Sequence, residues 1–104
     1  MADQGLHVRA QITLLRTDEG GRETPVMGSY RPNHNFFGAE NRNMAVGFIE
    51  VPQGQVLHPG ESIKVELTFF PWPQLAAELR PGRQWLIQEG ATVVGTGTIL
   101  EVLG

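Results

Sequence analysis

At 104 residues the chain has the size of one domain, long enough to bury roughly two-thirds of its unfolded surface in a single core. It holds no cysteine, which excludes a disulfide framework, a thiolate nucleophile and a cysteine-based zinc site. The formal net charge is −3, and the arginines and the one lysine, Lys64, are scattered rather than clustered, which argues against a general nucleic-acid binder.

Residues 1–6 are expected to form a flexible N-terminus ahead of one domain over 7–104. Met1-Ala2-Asp3-Gln4 lacks the basic and then apolar character of a secretory leader, and no apolar run approaches the roughly 20 residues that span a bilayer. The expectation is a cytoplasmic protein with no membrane partner. From Val8 the apolar residues alternate: Val8, Ala10, Ile12 and Leu14 take one face, and His7, Arg9, Gln11 and Thr13 the other. That is the period of a half-buried strand. Glu19-Gly20-Gly21 follows as a turn. Two further strands are predicted over Val26–Phe37 and Met44–Val51.

Pro52-Gln53-Gly54 and His58-Pro59-Gly60 mark the next turns. Ile63, Val65, Leu67 and Phe69 then alternate against Lys64, Glu66 and Thr68. Pro71-Trp72-Pro73 leads into the only helical candidate, Gln74–Leu79, a turn or two inside a connection. After Pro81-Gly82 come strands over Gln84–Gln88 and Thr92–Leu103, separated by Glu89-Gly90. Gly95 and Gly97 inside the last strand point to a bulge, a bend or a close backbone approach. About six strands with glycine and proline punctuation suggest a closed barrel or a sandwich. The core should include Ile12, Leu14, Ile63, Val65, Leu67, Trp85 and Ile87.

Residues that could carry catalysis do not assemble into a set. His7, His34 and His58 are widely spaced with no cysteine to join them. Ser29 and Ser62 lack the Gly-x-Ser-x-Gly context of a nucleophile elbow. Gly-Gly-Arg-Glu-Thr-Pro lacks the lysine and the hydroxyl residue that must directly follow the last glycine of a phosphate-binding loop. The expectation is no enzyme, no cofactor, no metal and no nucleotide. Most aromatics fit a core, but two prolines deny Phe70-Pro71-Trp72-Pro73 a central strand place. Trp72, expected to be exposed, and Phe70 are therefore the candidates for a protein contact.

Five landmarks recur in one order: Glu19-Gly20-Gly21-Arg22 through Pro25, Gly28 through Tyr30-Arg31-Pro32, Gly47 through Gly54, Pro59-Gly60-Glu61-Ser62-Ile63-Lys64, and Ile87-Gln88-Glu89-Gly90 with Val94-Gly95-Thr96-Gly97. From about Val8 to Gly104 this pattern resembles the C-terminal β-barrel domain, domain III, of elongation factor Tu. The resemblance implies an all-β fold, a single six-stranded antiparallel barrel; since the chain carries no GTPase motif, the expectation is that the barrel stands free. It also implies a recognition role, since in that family the domain holds the T-stem backbone of aminoacyl-tRNA and contacts the GTPase domain and exchange factor.

By position, the resemblance makes Asn33, Val46 and Glu89 face RNA, and Arg31 lies beside Asn33 in the Tyr-Arg-Pro landmark. Asn33 keeps an amide where the family has glutamine, and Glu89 could accept a bond from a ribose 2′-hydroxyl. Val46 loses a hydroxyl, and Gln88 and Thr92 stand where arginines are usual. The segments Phe37–Val46 and Phe70–Arg83 are remodelled. The expected function is recognition of tRNA-like RNA or a translation-factor surface, with Arg31, Asn33 and Glu89 as RNA contacts. The alternative is a protein-interaction module, a decoy or regulator of translation-factor partners, that binds no RNA.

Overall fold

The alternation read from the sequence becomes the inside and outside of a closed wall. In the computed structural model, which describes residues 5–38 and 43–104, the strands are β1 (Leu6–Leu14), β2 (Ser29–Tyr30), β3 (Asn33–Asn35), β4 (Ala45–Glu50), β5 (Ser62–Phe69), β6 (Gln84–Glu89) and β7 (Thr92–Val102). All pair antiparallel. The order β4-β3-β6-β7-β1-β5, with β5 returning to β4, closes a six-stranded barrel, and β2 is an extra strand on β4. Residues 1–4 of the expected flexible start lie outside the described residues, whereas Leu6 already pairs with Phe69.

The single strand expected over Val26–Phe37 is broken. Ser29 and Tyr30 pair with Glu50 and Ile49, and Asn33 and His34 pair with Val46 and Ala45. Both pieces thus keep one register along the same side of β4, interrupted at Arg31-Pro32. Proline has no N–H to give to the ladder, so pairing lapses there and resumes two residues later. Upstream, Val26 makes only an isolated bridge to Leu57.

The landmark glycines have structural work. Gly20 ends a 3-10 turn (Thr17–Glu19) with φ 92°, a left-handed conformation that suits glycine. Gly21 lies so close to the Leu15 carbonyl oxygen that a Cβ would sit 2.5 Å from it. At Pro59-Gly60, the Glu61 N–H donates to the His58 carbonyl at 3.0 Å, while the Glu61 carboxylate accepts from the His58 N–H at 2.9 Å. That bond, then the His58 ring, holds the Glu61 carboxyl below its ordinary range.

Val8, Ala10, Ile12 and Leu14 line the interior, joined by Ile49, Val65, Leu67, Phe69, Trp85, Ile87 and Ile99. Ile63, expected in the core, is only half-buried because it sits at the open start of β5. Trp85 stacks on Phe36 with ring centroids 5.0 Å apart, and Phe69 meets both edge-on. The Trp85 ring fills the place of a side chain at its partner Gly97, where a Cβ would lie 2.4 Å from it.

The helical candidate is one turn, α1 (Pro73–Ala76), whose Leu75 is fully buried. Trp72, expected to be exposed, is instead half-buried, with its ring against Phe37 at 5.3 Å. The two prolines do keep it out of the sheet, but Trp72 packs against the core cluster and the next turn buries Leu75. Phe70 remains 67% exposed.

Candidate RNA interface

The pairing register brings the sequence-predicted positions onto neighbouring strands. Asn33 pairs with Val46 on one side and with Gln88 on the other. Gln88 immediately precedes Glu89, so β3, β4 and the end of β6 carry the three family-matched positions together. Arg31 lies two residues before Asn33 and is exposed like it. Asn33, Val46 and Glu89 are 13 to 56 residues apart in the chain, yet roughly one or two strand spacings apart in the sheet.

Glu89 is not free to meet a ligand unassisted. Its Oε2 accepts hydrogen bonds from Arg22 Nη1 and from the Tyr30 hydroxyl. The Arg22 guanidinium also lies 5.2 Å from the centre of the Tyr30 ring, an arrangement that favours a cation over an aromatic face. Burial, then the bond to Glu89 and its charge, raise the Tyr30 pKa well above the ordinary value. Burial opposes the Arg22 charge, yet the hydrogen bond and charge of Glu89 outweigh it, so Arg22 also titrates higher than usual. The result is a fixed carboxylate with one oxygen doubly engaged. Sequence reading named Arg22 and Tyr30 only as parts of landmarks. Nothing in the linear chain signals that residues 22, 30 and 89 converge.

Gln88, expected beside the RNA face, is buried. Its side-chain oxygen accepts from Asn35 Nδ2 at 2.7 Å, and its amide nitrogen donates to the Gly90 carbonyl at 3.3 Å. Asn35 in turn accepts from the N–H groups of Phe37 and Gly38, each at 3.1 Å. The amide that stands where the family has a cation therefore ties two turns together. Val46 is 40% exposed, and Thr92 is exposed at the far side of the β6–β7 turn.

The histidines do not gather. His34 points inward: its Nδ1 accepts from the Trp85 indole N–H at 3.0 Å, and its Nε2 faces the Gly47 carbonyl at 3.2 Å. Only a neutral ring protonated on Nε2 satisfies both. Burial accordingly lowers its pKa to about 4, against the opposing pull of the Gly47 carbonyl. Among the described residues no group of three metal-ligating side chains occurs.

An open hollow of about 470 Å³ is bordered by Asn35, Phe36, Arg83, Gln84, Leu86 and Thr96 among others, and by none of Arg31, Asn33 or Glu89. Among the described residues no helix is long and apolar enough to cross a membrane.

Compared with protein families, residues 3–103 match the model described as the elongation factor Tu C-terminal domain.

Proposed function

Since the chain belongs to the family of the elongation factor Tu C-terminal domain, the barrel module of a translation factor, we propose that it recognises tRNA-like RNA through the wall carrying Arg31, Asn33 and Glu89. The observation that carries this reading is the register that sets Asn33 between Val46 and Gln88, one residue from Glu89. Arg31 supplies a charge for phosphate, Asn33 an amide for a base edge or ribose, and Glu89 an acceptor for a 2′-hydroxyl. Arg22 and Tyr30 hold that acceptor in place. The barrel contributes binding and no bond chemistry, and it acts in the cytoplasm beside the translation machinery.

Titration of labelled aminoacyl-tRNA against wild type, Arg31→Ala and Glu89→Ala at low and moderate salt tests the reading. Expected are salt-dependent binding by wild type and a salt slope reduced by about one in Arg31→Ala. No binding by wild type at either salt refutes it. A second reading, a module that binds a translation-factor surface without RNA, draws on the exposure of Phe70 beside half-buried Trp72. A pull-down from cell extract that loses protein with Phe70→Ala or Trp72→Ala, and contains no RNA, favours it.

A further inference from the structure

Beyond the matched positions, the same register runs on to a residue that the resemblance does not involve. The Phe70 N–H donates to the Val46 carbonyl at 2.8 Å, so Asn33, Val46 and Phe70 form one row across three chain segments. All three are exposed, Phe70 at 67% and Val46 at 40%. With strands about 4.8 Å apart, the row spans roughly 10 Å between its outer backbone positions. Arg31 lies on the same outer wall, and β4 continues there with half-buried Phe48.

Two features define what such a wall can take. The first is charge. Among the described residues, Arg9, Arg16, Arg22, Arg80 and Arg83 each have a carboxylate within 4 Å. Arg31, which is exposed, has no such partner among the described residues and is open to an external anion such as a phosphate. The second is the chemistry of the row. Recognition of duplex backbone needs donors and acceptors aimed at phosphates and 2′-hydroxyls. Here only Asn33 offers them, whereas Val46 and Phe70 offer apolar surface. The part of RNA with an apolar face is an unstacked base. A peptide could not be held by strand addition, because β4 and β5 are each paired on both sides.

We infer that this wall binds single-stranded RNA, with an unstacked base on the Phe70 ring beside Val46, the neighbouring base edge on the Asn33 amide and a phosphate on Arg31. The inference rests on the RNA reading above and narrows its ligand from a stem to a single strand or a splayed-out nucleotide. Phe70 supplies the platform, and Arg31 supplies the salt-sensitive contact.

The test is fluorescence anisotropy with a short unstructured RNA oligonucleotide and with a blunt RNA duplex containing the same strand. Phe70→Ala, Phe70→Leu, Phe70→Tyr and Arg31→Ala are titrated alongside wild type, each checked for a native far-UV spectrum. Because Phe70 and Arg31 are exposed, all are expected to fold. Wild type should prefer the single strand. Phe70→Ala and Phe70→Leu should each weaken it by about fivefold or more, on the scale of one stacked base. Phe70→Tyr should retain affinity, and Arg31→Ala should flatten the salt dependence.

Equal affinity for strand and duplex with no effect of Phe70→Ala overturns the inference and leaves RNA recognition standing. Loss in Phe70→Ala but not in Phe70→Leu overturns stacking, since an aliphatic side chain then suffices. Absence of binding to either RNA overturns the inference, while absence of binding to aminoacyl-tRNA in the titration above overturns the RNA reading on which it rests.

Discussion

Acidification should destabilise this barrel through His34. The ring is held neutral between the Trp85 N–H and the Gly47 carbonyl, and its pKa falls from 6.5 to about 4. In the unfolded chain the ring protonates at its ordinary value, so the unfolded state takes up the proton first as pH drops. Stability conferred by the neutral ring is complete above about pH 6.5 and is lost progressively down to about pH 4. At about 1.4 kcal/mol per pH unit, the loss from this residue is about 2 kcal/mol at pH 5 and tends toward about 3 kcal/mol below pH 4.

Urea unfolding followed by tryptophan fluorescence at pH 7 and pH 5 measures it in wild type and in His34→Gln. Glutamine can accept from Trp85 and donate to Gly47 without titrating. The variant should be less stable at pH 7, because it loses the edge contact of the imidazole with Phe69 at 4.9 Å. Its stability should nevertheless depend less on pH, by about 2 kcal/mol between the two conditions. The carboxylates are common to both proteins and cancel in the difference. Equal pH dependence in the two refutes the argument.

Gly97→Ala should cost about 1–3 kcal/mol or prevent folding, since the added methyl meets the Trp85 ring. Thermal unfolding checks it, and Gly82→Ala, which strains a positive φ but meets no atom within 4 Å, should cost less. Leu67→Ala removes a side chain that is 1% exposed and should lower stability by about 2–5 kcal/mol in urea titration. Tyr30→Phe removes one of the two hydrogen bonds to Glu89. It should lower stability by about 1 kcal/mol in the same titration and weaken RNA binding if Glu89 must be held still.

Most of the wall was legible along the chain because inside-outside alternation is a local property. β1 and β5 fell where apolar residues recur every second position, and six of the seven expected core residues are buried. The Val26–Phe37 strand was legible as extended chain but not as two pieces, because a proline interrupts pairing without ending the direction of the chain. Trp72 was misplaced for a different reason. Two prolines state what it cannot pair with, and only the packed fold states that Phe37 lies above it.

The site divides in the same way. The landmarks Glu-Gly-Gly-Arg, Tyr-Arg-Pro and Gln-Glu-Gly named Arg22, Tyr30, Arg31 and Glu89 as members of turns. The turns themselves follow from sequence, since left-handed φ at Gly20 and the contact at Gly21 require glycine whatever the rest of the chain does. That Arg22 and Tyr30 share one Glu89 oxygen, that Gln88 is buried on Asn35, and that Phe70 extends the Asn33–Val46 row are facts of register. The sequence by itself determined which residues bend, which alternate and which family of barrel they build, because those depend on neighbours in the chain. The tertiary structure alone decided which side chains meet, because strand pairing joins residues whose separation in sequence carries no information about their distance in space.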